Sequence, residues 1–87
     1  MQTRDERRIL PAVSLLLPQV RAGTIRAVTP VNIHGDRYVD VSLSLDEATG
    51  RPLNGRVAAG ECPADLAAGD RVNARFVMGL MVKITRV

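Results

Sequence analysis

Residues 38–46, which read Tyr-Val-Asp-Val-Ser-Leu-Ser-Leu-Asp, decide the fold of this chain. Apolar side chains occupy every second position of the stretch, and the positions between them carry a tyrosine, an aspartate and two serines. Successive side chains of a strand point to opposite faces of a sheet. The alternation therefore predicts a strand with one face in the core and the other in solvent.

The segment that precedes this strand is predicted to be a second strand with an irregularity in it. Residues 20–28 place Gly23, Ile25 and Ala27 on one face, but Val28 is out of phase with them. A break in phase close to a glycine is typical of a bulged or strongly bent strand. Residues 29–36 are predicted to form a loop.

Three more strands are predicted after the decisive stretch. Residues 47–50 are predicted to form a hairpin connection, and the third strand is predicted to turn Leu53, Gly55 and Val57 inward. Two last strands lie on either side of Gly79, and their predicted inward side chains are Val72, Ala74, Phe76, Met78, Leu80, Val82 and Ile84. Across all five strands, the predicted core set is Ile25, Val39, Val41, Leu43, Leu45, Val57, Val72, Phe76, Val82 and Ile84.

A short helical turn is predicted between the third and fourth strands. Within residues 60–69, Pro63 lies near the start of the turn, Asp65 in its first turn and Gly69 just past its end. The predicted order is strand, strand, strand, short helix, strand, strand, which is that of a five-stranded OB barrel. An SH3-like barrel is the alternative, since the order of elements does not fix how a sheet closes.

The first nineteen residues are predicted to form an arm outside this barrel, which spans residues 20–87. Thr3 and Glu6 have the spacing of a helix capping box, whereas Pro11 and Pro18 interrupt a continuous helix, so the arm is a broken helix or an extended segment. We expect that it is not a signal peptide, because Asp5 and Glu6 interrupt its start, two prolines break its apolar run, and no A-x-A cleavage site follows. Either the arm covers the open end of its own barrel or it docks on a neighbouring subunit, and its candidate contact residues are Ile9, Leu10, Val13, Leu16 and Leu17.

Length and composition allow one domain and exclude several classes of protein. The chain has 87 residues, 46% of them hydrophobic, with no tryptophan, one tyrosine and one phenylalanine. Its single cysteine excludes an intrachain disulfide framework and fits a reducing compartment. No apolar stretch reaches the ~18–20 residues that a membrane-spanning helix needs.

We expect no enzymatic activity, no metal and no cofactor. His34 is the only histidine, so Cys62 and the serines have a single candidate base, and His34 lies in a predicted loop. Cys62 precedes Pro63 at a predicted helix start, where a partly buried thiol is expected. The seven glycines are scattered singly, so none forms a phosphate-binding loop.

Nucleic-acid binding is a functional hypothesis that ranks second, after a structural or assembly role. It is considered because the net charge is +3 and OB barrels commonly bind single strands. The expected ligand face, on the second and third strands, carries only one aromatic ring, Tyr38, and only one base, Arg56. Weak contact with phosphates would have to use bases on other surfaces, for which the candidates are Arg26, Arg37, Arg71, Arg75 and Lys83.

Two stretches resemble a known group of modules. Residues 66–72, Leu-Ala-Ala-Gly-Asp-Arg-Val, precede a glycine-turned hairpin, and residues 20–28 carry the pattern Val-x-x-Gly-x-Ile-x-x-Val. Together they resemble the small OB domains of bacteriophage tail and baseplate proteins and, more distantly, the TOBE-type domains of transporters. The resemblance covers residues 20–87. It implies a structural module that self-associates or binds other structural proteins, in a virion or in the cytoplasm.

Overall fold

The computed structural model describes residues 17–87, and they form a mainly β structure. Four of the five predicted arm contacts, Ile9, Leu10, Val13 and Leu16, lie outside the described residues, and Leu17 is the first residue within them. The elements are β1 (Gln19–Ile33), β2 (Asp36–Leu45), β3 (Ala48–Ala58), a 3-10 turn (Ala59–Glu61), β4 (Arg71–Val77) and β5 (Leu80–Arg86). The mainly β prediction is therefore confirmed.

All five strands belong to one antiparallel sheet with the order β3-β2-β1-β4-β5. The long β1 pairs with β4 along its first part, over residues 19–24, and with β2 from Gly23 to its end. The two end strands, β3 and β5, contact each other. A Cβ built on Gly55 of β3 would lie 2.9 Å from the Cβ of Met81 on β5. Among the described residues, no ladder of hydrogen bonds joins β3 to β5, so the sheet is not closed.

The irregularity predicted in β1 is confirmed as a break in register. Ile25 pairs with Leu43 and Ala27 with Ser42, which leaves Arg26 as the extra residue of a bulge. The bulge reverses the alternation, because Ala27 is exposed whereas Val28 packs against the core.

The loop predicted for residues 29–36 is wrong. The strand continues to Ile33, and a two-residue turn of His34 and Gly35 leads directly into β2. Both turn residues have positive φ, 51° and 86°, as tight hairpin turns between twisted strands require. The Asn32 side chain steadies the turn, since its Oδ1 accepts a hydrogen bond from the Gly35 N–H at 3.1 Å.

The core follows the predicted alternation closely. Eight of the ten residues in the predicted set are buried, while Val39 and Val82 are half-buried. Leu66 and Met81 are core residues outside that set, and Ala74 joins them as its position in the fourth strand predicts. The complete buried set is Ile25, Val41, Leu43, Leu45, Val57, Leu66, Val72, Ala74, Phe76, Met81 and Ile84.

The hairpin between β4 and β5 differs from its prediction. Gly79 does turn the chain, with φ 80°, but Met78 is in the turn itself, with φ 53°, and its side chain is exposed. The pairing steps from Arg75–Lys83 to Phe76–Met81, so one residue of β5 is extra. This shift turns Met81 inward and leaves Leu80 exposed, which reverses the predicted alternation at the start of the strand.

The short helical turn predicted between the third and fourth strands is present, but its predicted extent, residues 60–69, is wrong. The only helical turn among the described residues is Ala59–Glu61, which precedes Pro63, and the rest of the connection is made of irregular turns. Leu66 packs in the core, and two backbone hydrogen bonds tie the segment to β1. The Gly69 N–H donates to the Ile25 carbonyl at 2.8 Å, and the Ile25 N–H donates to the Asp70 carbonyl at 2.9 Å.

Replacement of Gly23 by alanine should destabilise the fold, because a Cβ there would lie 2.5 Å from the Ser44 carbonyl oxygen and 2.9 Å from Leu43 Cδ1. We expect Gly23→Ala to lower the free energy of unfolding by about 2–3 kcal/mol, measured by urea denaturation. Gly60→Ala is the matched control, since its Cβ would meet nothing within 4 Å. Equal stability of the two variants would contradict the close approach of β1 to β2.

Candidate interaction surfaces

Most charged side chains on the surface are paired with each other. Bidentate hydrogen bonds join Arg56 to Asp40 at 2.7 and 2.9 Å, and Arg71 to Asp46 at 2.6 and 2.7 Å. Arg21 forms a salt bridge with Glu47, which lies in the turn between β2 and β3. The charges of these three arginines are therefore balanced locally by acids of the same chain.

A further group of charged residues, which consists of Arg86, Asp65 and Asp70, attaches the β3–β4 connection to β5. Arg86 donates to the Asp65 carboxylate at 2.8 Å, to the Asp65 carbonyl at 3.1 Å and to the Asp70 carboxylate at 2.9 Å. The same Asp70 oxygen accepts the Ala67 N–H at 2.9 Å. These contacts hold an irregular segment in place without a helix.

The five candidate phosphate ligands do not converge on one site. Arg75 and Lys83 are directly opposite each other on β4 and β5, and Arg71 lies on the same face of β4. Arg26 is at the bulge of β1, where it donates to the Ser44 hydroxyl at 3.2 Å, and Arg37 is next to the β1–β2 turn.

Their charges are also unequally available. The two bidentate bonds to Asp46 and a third bond to Thr24 Oγ1 occupy Arg71, and Lys83 Nζ is 3.8 Å from Glu61. Within residues 17–87, Arg37 and Arg75 make no ion pair. Only Arg75 combines a free charge with a basic neighbour across the strand.

The outer face of β1, β2 and β3 forms a shallow groove of about 480 Å³. Asp40 and Arg56 neutralise each other in its wall, and hydroxyl and amide groups provide the rest of its polar surface. It contains no aromatic ring; its lining is Ala27, Thr29, Asp40, Val41, Ser42, Asn54, Gly55 and Arg56. This groove, on the face of the second and third strands that was expected to bind a ligand, is thus neutral and contains no aromatic ring.

A second groove of about 640 Å³ lies between the β1–β2 hairpin and the connection that follows β3. Tyr38, the only tyrosine, contributes to it together with Arg37. Most of the remaining lining is apolar and comes from Pro30, Val31, Val39, Ala59, Pro63 and Ala64. The aromatic ring is therefore in a different groove from Arg56.

Exposed apolar side chains gather at one end of the sheet, at the start of β1 and the β4–β5 turn. We call Leu17, Val20, Met78 and Leu80 the end patch; their exposed fractions are 62%, 60%, 73% and 68%. The register places them together, because Gln19 pairs with Phe76 and Val20 with Arg75, just before the turn that holds Met78. Sequence reasoning missed this patch, since it predicted that Met78 and Leu80 face the core.

Hydrogen bonds lower the pKa of four aspartates. The guanidinium groups of Arg56, Arg71 and Arg86 do so for Asp40, Asp46 and Asp65 respectively. For Asp70, the main cause is the Ala67 N–H, followed by Arg86. Each of these pKa shifts favours the ionised carboxylate in the folded state.

The residues weighed for catalysis lie on separate elements. His34 is exposed in the β1–β2 turn, and Cys62 is half-buried after the 3-10 turn, where burial and then Glu61 raise the pKa of its thiol. A raised pKa lowers the fraction of reactive thiolate. Over residues 17–87, no group of three His, Cys, Asp or Glu side chains could hold a metal ion. In the same residues, no helix has the length and hydrophobicity to span a membrane.

Acid should destabilise the fold through these aspartates. A carboxylate whose pKa is lowered on folding stabilises the protein above its unfolded pKa, and this contribution is lost as the pH falls through the folded pKa, below about pH 4. We expect the urea midpoint of the parent protein to fall between pH 4 and pH 2. The variant Asp70→Asn should be less stable than the parent at pH 7 and should lose less stability than the parent on acidification. Asp36→Asn is the control, because Asp36 makes no ion pair with another described residue. A similar pH profile for Asp70→Asn and the parent would contradict the assignment.

Comparisons with protein-family models, with curated proteins and with solved structures find no match to this chain. The resemblance to bacteriophage tail modules and to TOBE-type domains therefore stays a prediction from the sequence. The end patch and the unpaired Arg75 are among the features of residues 17–87 that neither the core nor the ion pairs account for.

Proposed function

We propose that this protein is a non-enzymatic structural module, an OB-like barrel that mediates contacts between proteins, through self-association or with another structural protein. The end patch is the observation that carries this proposal. Single exposed apolar residues are ordinary, but four large ones grouped at one end of a small sheet are typical of a contact surface. The location in a virion or in the cytoplasm remains a prediction from the resemblance.

The strand order supports the OB form of the barrel over the SH3-like form. In an OB barrel, the first strand pairs with both the second and the fourth, and the third and fifth strands meet to close the sheet. Here β1 pairs with β2 and β4, and Gly55 of β3 lies against Met81 of β5. The missing Cβ at Gly55 permits this approach, which supports closure by side-chain packing.

The surface charges favour protein contacts over a specific electrostatic ligand. Arg21, Arg56, Arg71 and Arg86 are held by acids of the same chain, and the groove on β2 and β3 is neutral. A ligand would have to displace these acids before it could use the bases. The end patch requires no such exchange, since burying it only removes apolar surface from water.

Substitutions in the end patch should weaken assembly without unfolding the protein. We expect the full chain to form oligomers in analytical ultracentrifugation, and Met78→Ser with Leu80→Ser to shift it to monomer, since both side chains are exposed. Val87→Ser is the matched control, because Val87 is 75% exposed but lies at the chain end that bonds to Arg71, outside the patch. A full chain that is monomeric at every concentration, and that binds no other protein through the patch, would refute the proposal.

The second candidate function is weak, sequence-independent binding of single-stranded nucleic acid, and the Arg75–Lys83 pair favours it. Two like charges directly opposite each other on neighbouring strands are unfavourable for folding alone, and Glu61, 3.8 Å from Lys83 Nζ, offsets only the Lys83 charge. Phosphate groups of a bound strand would relieve this repulsion, with Arg26 and Arg37 as more distant contacts.

A salt titration tests this second candidate. Affinity for an oligothymidine should fall linearly with salt on logarithmic axes, with a slope of about −0.7 per phosphate neutralised. Arg75→Gln should reduce that slope, whereas Arg56→Gln should not, because Asp40 already pairs with Arg56. The absence of binding at low salt would exclude this function.

A further inference from the structure

We propose that the second groove, which lies between the β1–β2 hairpin and the connection after β3, binds a small organic carboxylate with an apolar body. This inference goes beyond the proposed function, because the groove shares no residue with the end patch and its ligand is a small molecule. The groove has a volume of about 640 Å³, within the range of roughly 300–1,000 Å³ that is usual for ligand pockets.

One wall of the groove continues the core face of the hairpin. Arg37 and Val39 are two residues apart on β2, so their side chains lie on the same side of the sheet, and Val39 packs against the core. Residues opposite each other in the register share a face. Asn32 is opposite Arg37, and Pro30 is opposite Val39. The wall is therefore apolar towards the core and polar towards the tip of the hairpin.

The polar end of this wall offers hydrogen-bond donors and a positive charge. The Arg37 guanidinium is exposed and makes no ion pair within residues 17–87. Asn32 Oδ1 accepts the Gly35 N–H, whereas its Nδ2 amino group bonds to no described residue. Two donor groups on neighbouring strands, one of them charged, match the two acceptor oxygens of a carboxylate.

The opposite wall supplies apolar surface and no competing acid. It consists of Ala59, Gly60, Pro63 and Ala64. None of the described residues that line the groove is acidic. Asp36 precedes Arg37 on β2, so its side chain lies on the other face, and Glu61 is 3.8 Å from Lys83 Nζ. A hydrocarbon group that enters between the two walls leaves water for an apolar environment, which is favourable.

The charge of the groove favours a carboxylate over a phosphate ester. Arg37 is the only cation among the described residues that line the groove, so it balances one negative charge. A phosphate monoester carries a charge of about −1.5 to −2 at pH 7, and the excess would be left without a partner on leaving water. A carboxylate carries a single charge and a planar pair of oxygens, which the guanidinium can bind with two hydrogen bonds.

An NMR titration of the full chain, labelled with nitrogen-15, tests the inference with 4-phenylbutyrate as the probe. We expect a dissociation constant on the order of 1 mM, given the free energy that each atom of a small ligand contributes. Chemical-shift changes should centre on the amides of Asn32, Arg37 and Gly60. The uncharged analogue 4-phenylbutanamide should bind about tenfold more weakly, because it lacks the charge that pairs with Arg37.

Two substitutions of unpaired arginines separate the groove from a general effect of charge. Arg37→Gln should weaken the binding of 4-phenylbutyrate about tenfold and leave that of 4-phenylbutanamide unchanged. The fold should be retained, since the Arg37 side chain is exposed. Arg75→Gln is the matched control, because Arg75 is also exposed and without an ion pair in residues 17–87 but lies on β4, outside the groove. It should bind 4-phenylbutyrate as the parent does.

Several results would overturn the inference. These are equal affinity for the acid and the amide, equal effects of the two substitutions, shifts confined to residues outside the groove, and the absence of shifts at about 10 mM probe. Tighter binding of 3-phenylpropyl phosphate than of 4-phenylbutyrate would overturn the choice of a carboxylate. None of these measurements depends on self-association, so the proposed function is tested separately by ultracentrifugation of the end-patch variants.

Discussion

The close approach of β1 to β2 at Gly23 is the contact on which the rest of the structure depends. Gly23 pairs with Leu45 on one side and with Val72 on the other, so both halves of the sheet meet at this residue. Any Cβ there would collide with the Ser44 carbonyl oxygen. The bulge at Arg26 follows within three residues and adds the local twist by which β1 leaves one half of the sheet and follows the other. Without the close approach at Gly23 and the bulge at Arg26, β1 could not pair with both β2 and β4.

The core that results is small and entirely apolar, and the charges are organised outside it. No polar or charged residue is buried among residues 17–87. Ion pairs instead cross from strand to strand and from the β3–β4 connection to β5, where Arg86 holds two aspartates. Exposed pairs of this kind contribute little stability individually. Their larger effect here is to leave few basic groups free, which is why the positive charge of the sequence does not form a continuous basic surface.

Two irregular pairings decide which apolar groups remain in solvent. At Arg26 the extra residue returns Val28 to the core, whereas the extra residue in β5 takes Leu80 out of it. The second shift supplies half of the end patch, together with Met78 in the turn. The patch thus arises from local backbone geometry at the hairpin, next to the point at which the N-terminal arm joins the sheet.

The sequence by itself determined the five strands, the decisive alternation of residues 38–46 and most of the core, because strand periodicity is a local property. It also predicted the bulge in β1, where Gly23 and the phase break at Val28 are visible in the residues. It could not determine that His34 and Gly35 form a tight turn, since a histidine with positive φ is set by the twist of the strands around it. Nor could it determine the end patch: Met78, Leu80 and Met81 are all apolar, and only their pairing with β4 decides which of them is buried. A shift of one residue in register reverses the face of every side chain that follows. The tertiary structure therefore decided the surface on which the proposed function rests.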